Sequence, residues 1–126
     1  MEPLAGPRLR EHLGCVDDDE RRRLLEKVGE AVGRLHDVGI VHGDLTTSNI
    51  LVDGEGVALL DFGLGDRSTE DEARGVDLHV LMEALDATHR EGWFEAVLDG
   101  YRRRTHSKGV EQKVVYIVRR GRYRGS

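Results

Sequence analysis

Cysteine is nearly missing from these 126 residues, with Cys15 standing alone. One thiol closes no internal disulfide and has no cysteine partner for a zinc site, so a secreted disulfide scaffold and a cysteine-built zinc module are excluded. Cys15 reads as a buried or incidental thiol of a reducing compartment. Long apolar runs are absent as well. No stretch approaches the ~20 residues that span a bilayer, and no signal-type apolar segment stands among the first residues. Proline occurs only as Pro3 and Pro7, inside an irregular opening from Met1 to Gly14 with a short helix expected around Leu9–Leu13. Repeats and low-complexity linkers are lacking. What remains is 38% apolar and 34% charged, the profile of one globular domain. At this length a domain buries roughly two-thirds of its unfolded surface.

The net charge of −5 hides an asymmetry. Residues 1–100 carry 10 basic and 23 acidic side chains, a net of −13, whereas residues 101–126 carry 9 basic side chains and only Glu111, a net of +8. The tail Arg119-Arg120-Gly121-Arg122-Tyr123-Arg124 has two readings. It is either a solvated end that balances an acidic body, or a phosphate-binding arm, because Arg forks match phosphate oxygens and Tyr can stack on a base.

Along the chain, Asp17-Asp18-Asp19 supplies an N-cap and acidic first-turn residues. Leu24, Leu25, Val28, Ala31, Val32 and Leu35 follow at helical spacing, and Gly39 offers a C-terminal stop. Ile40-Val41 reads as a short β segment. Ile50-Leu51-Val52, a turn at Asp53-Gly54-Glu55-Gly56, and Val57-Ala58-Leu59-Leu60 read as a hairpin. Leu64 to Glu72 reads as a polar loop. Three further helices are striped by Val76, Val80, Leu81, Ala84 and Leu85, by Trp93, Phe94, Val97, Leu98 and Tyr101, and by Val110, Val114, Val115 and Val118. All three stripes read as core. The expected fold is α+β, mainly α, with helices around one small hairpin.

Chemistry concentrates in His42-Gly43-Asp44-Leu45-Thr46-Thr47-Ser48-Asn49, followed after eleven residues by Asp61-Phe62-Gly63 on the far side of the hairpin. This is the catalytic-loop and metal-ligand pattern of protein kinases, with Gly43 where Arg is usual. Either motif alone is a weak signal. Both in order, flanking one hairpin, form a strong one. γ-Phosphoryl transfer needs a hard cation on the phosphate oxygens, which oxygen ligands suit. Asp61 and Asn49 are the candidate magnesium ligands, and with them the nucleotide contacts. Asp44 is the candidate catalytic group, orienting or deprotonating the attacking hydroxyl or water. His42 reads as a strut under Asp61, and Gly63 as the turn directly after the ligand. Asp77, expected to open the Val76–Leu85 helix, is either a plain N-cap or an anchor for the backbone of the catalytic loop.

The run from Leu35 through Asn49 resembles the small atypical kinase of the KEOPS complex. The resemblance continues through Asp61-Phe62-Gly63-Leu64-Gly65, Ala73-Arg74-Gly75-Val76-Asp77-Leu78, Gly100-Tyr101-Arg102 and the Arg-Gly-Arg tail at 120–122. RIO kinases and aminoglycoside phosphotransferases share the His-Gly-Asp-Leu loop. Thr46-Thr47-Ser48 and the Leu-Gly after Asp-Phe-Gly favour the KEOPS subunit. Residues Met1 to Gly6 are similar to that family's hinge between lobes. The resemblance implies a cytoplasmic, ATP-binding and magnesium-using serine/threonine kinase/ATPase that supports tRNA threonylcarbamoyladenosine modification. Implied partners are the tRNA threonylcarbamoyl transferase, the other KEOPS subunits, and tRNA through an arm of Arg119, Arg120, Arg122 and Arg124. Gly43 removes the Arg that clasps a phosphorylated activation loop, so that form of switching is not expected.

The expected organisation is a kinase C-terminal lobe over 1–126: a hinge-like start at 1–14, a helical lobe at 15–118 and a basic tail at 119–126. No Gly-rich phosphate loop precedes the catalytic loop. Lys27, the only lysine before Asp44, lies in a helix rather than on a strand. A fragment or misplaced start, a split protein with its other lobe on a second chain, and a genuine stand-alone lobe all stay open. The alternative function is a non-catalytic module that docks the transferase and presents the basic tail to RNA. A small-molecule phosphotransferase is a weaker third, for want of the long helical insertion that substrate binding uses there.

Overall fold

In the computed structural model, described for residues 9–53, 56–60, 66–88 and 93–125, the chain is mostly helical. Helix α1 (Leu9–His12) runs into a 3-10 turn (Leu13–Cys15), and α2 spans Asp18–Asp37. Strand β1 (Ile40–Val41), a 3-10 turn (Thr47–Asn49), β2 (Ile50–Asp53), β3 (Gly56–Leu59) and β4 (Asp66–Arg67) follow. Helices α3 (Asp71–Thr88), α4 (Trp93–Arg102) and α5 (Lys108–Gly125) complete the chain.

Both ends of α2 are set by local chemistry. The Asp17 carboxylate accepts the Glu20 amide at 2.8 Å, and three acids in the first turn meet the positive end of the helix dipole. At the other end the Val38 amide donates to the Arg34 carbonyl and the Gly39 amide to that of His36. Gly39 has φ +85°, a region where a Cβ is strained, so the chain reverses there into β1.

Leu24, Leu25, Val28 and Val32 of α2 are buried against Val97, Leu98 and Tyr101 of α4, with Leu9, Leu13, Leu45, Ile50, Leu78, Leu81 and Leu85 in the same core. Full burial of such a side chain contributes about 1.5–3 kcal/mol relative to exposure. Helices α2 and α4 meet backbone to backbone. A Cβ on Gly29 would lie 1.8 Å from the Val97 carbonyl oxygen, and one on Gly100 would lie 1.9 Å from that of Glu26. Helix α3 packs on α5.

The hairpin pairs β2 with β3 in antiparallel register, Ile50 opposite Leu59 and Asp53 opposite Gly56. A second antiparallel pair, β1 with β4, sets Ile40 opposite Arg67 within the stretch expected to be loop. That stretch is also shorter than expected, because α3 starts at Asp71 and places Asp77 in its second turn rather than at its opening. The α3 stripe is offset as well: Val76 is 48% exposed while Asp77, Leu78, Leu81 and Leu85 are buried. Hydrogen bonds that draw Asp77 inward rotate Val76 to the outside. Val115 of α5 is likewise exposed, whereas Val110 and Val114 are buried. Cys15 is exposed. The α5 backbone continues as helix through the basic tail to Gly125.

Candidate catalytic loop and its buried anchor

The segment from His42 to Asn49 is pinned at intervals. Leu45 and Thr47 are buried, and Ile50 enters the core directly after it. Between these anchors Asp44 and Asn49 stay partly exposed. The Asn49 amide nitrogen donates to the Asp44 backbone oxygen at 2.9 Å and to its carboxylate at 3.2 Å. The Thr46 amide closes on the Asp44 carbonyl at 3.0 Å, and the Leu60 amide bonds the Asn49 carbonyl at 2.7 Å. Asp44 is thus presented with its neighbour already oriented.

His42 is fully buried. Its Nδ1 accepts the Asp44 amide at 3.1 Å, which leaves the hydrogen of a neutral ring on Nε2, and Nε2 donates to the Leu60 carbonyl at 2.6 Å. The ring therefore ties the candidate loop to Leu60 at the end of the hairpin. Asp61 and Gly63 themselves lie outside the described residues, as do the side chains of Arg120, Arg122 and Arg124. Arg119 is exposed on α5. Among the described residues, no three His, Cys, Asp or Glu side chains cluster as a metal site. Asn49 offers an amide oxygen, Oδ1, once its nitrogen is engaged by Asp44, a donor of the hard type that magnesium takes.

Asp77 is 3% exposed. Its Oδ2 accepts the His42 amide at 2.7 Å and its Oδ1 the Gly43 amide at 3.0 Å. Gly43 has φ +93°, so the residue that stands where kinases carry Arg also supplies a backbone turn that favours glycine. Burial pushes the Asp77 carboxyl up, but hydrogen bonds from His36, His42 and Gly43 outweigh it and hold the group below the usual carboxylate value.

Helical patterning alone does not give roles to His36 and Tyr101, and both belong to this anchor. His36 Nε2 is 2.8 Å from Asp77 Oδ2, and its Nδ1 is 2.7 Å from the Tyr101 hydroxyl. Both side chains are fully buried, with rings edge to face at 5.5 Å. The signal was present: His36 falls four residues after Val32, so it extends a buried stripe with a polar ring. The Arg74 guanidinium donates to the His36 carbonyl and so ties the end of α2 to α3. Neither of two cavities near α5, about 420 and 450 Å³, is lined by residues 42–49.

Residues 8–101 match the lipopolysaccharide kinase (Kdo/WaaP) family. The chain is 43% identical over 130 residues to KEOPS complex subunit Bud32 of Pyrococcus abyssi, covering 98% of this chain and 59% of that protein. It is 55% identical over 103 residues to a probable bifunctional tRNA threonylcarbamoyladenosine biosynthesis protein of Methanosarcina barkeri, covering 79% of this chain and 19% of that protein. The resemblance to the small KEOPS kinase is borne out by these relatives, although the chain spans only 59% and 19% of their respective lengths. Among solved structures, WaaP in complex with acyl carrier protein superposes with a TM-score of 0.75 at 18% identity, over 97% of this chain and 58% of that one. The kinase-like fold is thereby shown.

Proposed function

This chain belongs to the lipopolysaccharide kinase (Kdo/WaaP) family, and from that premise we propose that it is the C-terminal lobe of an atypical ATP-binding serine/threonine kinase/ATPase. In this reading it serves a KEOPS-type assembly in the cytoplasm and supports tRNA threonylcarbamoyladenosine modification. The observation that carries the reading is the loop geometry. The Asp77 carboxylate holds the amides of His42 and Gly43, while Asn49 is bonded to Asp44, in the order the kinase pattern requires. The names of the relatives support the assembly and the pathway.

Asp44 accepts the proton of the attacking hydroxyl or water, and its bond to Asn49 limits the directions from which that oxygen can approach. His42 ties the loop to the Leu60 carbonyl. Asn49 Oδ1 and Asp61 are the residues that would hold magnesium, which supplies charge neutralisation at the phosphate oxygens. Most of the rate gain in such chemistry comes from positioning and electrostatics, which is why a rigid loop matters.

The test joins the chain to a kinase N-lobe, by fusion or as a second polypeptide, and measures magnesium-dependent ATP turnover. Turnover abolished by Asp61→Ala and by Asp44→Ala supports the reading, and failure to bind ATP with both lobes present refutes it. The helical tail bearing Arg119, Arg120, Arg122 and Arg124 is the proposed tRNA-facing arm, and the transferase and other KEOPS subunits are the proposed partners. Duplex binding should weaken with salt at a slope of about −0.9 per phosphate neutralised, and removing residues 119–126 should flatten that slope.

A further inference from the structure

The His36–Tyr101 pair extends the anchor of the catalytic loop to a fourth element. Asp77 is an acceptor when ionised, so the hydrogen in its 2.8 Å contact with His36 sits on Nε2 of the ring. A neutral imidazole then carries a lone pair on Nδ1, and the group within reach of it is the Tyr101 hydroxyl at 2.7 Å. Both residues are fully buried. Nδ1 therefore has no water to turn to, and leaving a buried acceptor unmatched is costly. Burial pushes the Tyr101 phenol far above its ordinary value, so the hydroxyl keeps its hydrogen at neutral pH.

We propose that Tyr101 is a positioning residue of the catalytic loop: its hydroxyl fixes the His36 ring in the orientation from which Nε2 donates to Asp77. The path runs from α4 (Tyr101) to α2 (His36), to α3 (Asp77), and from there to the His42 and Gly43 amides. Held at Nε2 alone, the ring keeps one directional contact and loses the second that stops it rotating. Asp77 then shares its Oδ2 with a less constrained donor, and the His42 amide, bonded to the same oxygen, loosens with it. The proposal rests on the reading of residues 42–49 as a catalytic loop, although the hydrogen-bond path itself does not depend on nucleotide.

The experiment uses nitrogen-15 NMR and amide exchange on the 126-residue chain, without nucleotide. In the unmodified protein the hydrogen shared with Asp77 should sit on Nε2 of His36, and Nδ1 should accept from the Tyr101 hydroxyl. Tyr101→Phe keeps the ring packing and removes only the hydroxyl. It should shift the Nδ1 resonance and speed exchange at His42 and Gly43 about tenfold, while Val28 and Val32 in the α2 core keep their protection. In a His36→Leu background the same change should add nothing at those two amides. The proposal is overturned if Nδ1 carries the hydrogen in the unmodified protein, a result that needs no variant to fold. Unchanged exchange at the two amides, equal acceleration everywhere, or the same effect without His36 would also overturn it. A two-lobe protein that fails to turn over ATP refutes the kinase reading and leaves these ring and amide results standing.

Discussion

Midway along α2 the chain is held by side chains it omits, and at the C-terminal end of the same helix by side chains it buries. Gly29 and Gly100 bring α2 and α4 so close that an added methyl would overlap a carbonyl oxygen. Two turns later His36 is fully buried, and both of its ring nitrogens are bonded. The first contact is a matter of shape and is broken by adding volume. The second is a matter of direction and is broken by removing one atom. Packing thus keeps the chain folded, while the polar chain of hydrogen bonds decides where residues 42 and 43 sit.

Gly100→Ala should do the most damage, because the new Cβ meets backbone that cannot rotate away. A loss of about 3 kcal/mol or more is expected, read as a fall in Tm of about 10 °C or more. A Tm close to that of the unmodified chain would show that the helices have slack here. Asp77→Asn attacks the polar end instead. One acceptor oxygen must serve three N–H donors, and about 2–3 kcal/mol should be lost. Helical circular dichroism should persist below the transition while exchange at His42 and Gly43 accelerates.

The same carboxylate ties the polar end to pH. Burial raises it, but the three N–H donors lower it further, so the folded chain holds this proton more weakly than the unfolded one. Its contribution is complete above the unfolded carboxylate value of about 3.9 and is lost as pH falls through the lower folded value. Glu111, lowered by the hydrogen bond from Arg102, works in the same direction. Denaturant titrations between about pH 5 and pH 2 should therefore show a falling midpoint, with a shallower fall in Asp77→Asn.

Smaller effects sharpen the contrast. Gly43→Ala places a Cβ at φ +93° and should cost about 1–2 kcal/mol, most visible at the loop amides. Arg103→Ala breaks ion pairs with Glu26 and Glu30 across the α2–α4 seam. Arg103 is half-exposed although Glu26 and Glu30 are partly buried, so solvent screens the pairs and the midpoint should move only slightly. A clear shift would assign the seam a polar component that its glycines do not suggest.

Features built from near neighbours were legible in the sequence. The Asp17 cap, the Leu24–Val32 stripe and the Gly39 stop define α2 without outside help, and Ile50–Leu59 defines its own hairpin. The candidate loop at 42–49 stood out because kinase chemistry prescribes its spacing. Contacts between distant segments were not. Gly29 and Gly100 lie 71 positions apart, and a glycine inside a helix looks like a weakness until its opposite number is known. Tyr101 carried the stripe of a core residue, which it is, and nothing local marks its hydroxyl as the partner of His36. Val76 falls on the aliphatic stripe, and aliphatic spacing does not show that the neighbouring Asp77 is drawn inward more strongly.

Asp77 grips the His36 ring and the His42 amide with the same oxygen, so the five residues between them form a closed span. Such a span fixes the number of residues, and within it only Gly39 and Val41 are fixed besides, by a positive φ and by burial. Val38 is 70% exposed and bends into a glycine turn, where many side chains would do. One residue more or fewer, however, would move the ring and the amide out of reach of a shared acceptor. For the gene this makes codon 38 a place where substitutions can drift, while insertions and deletions anywhere in codons 37–41 are removed.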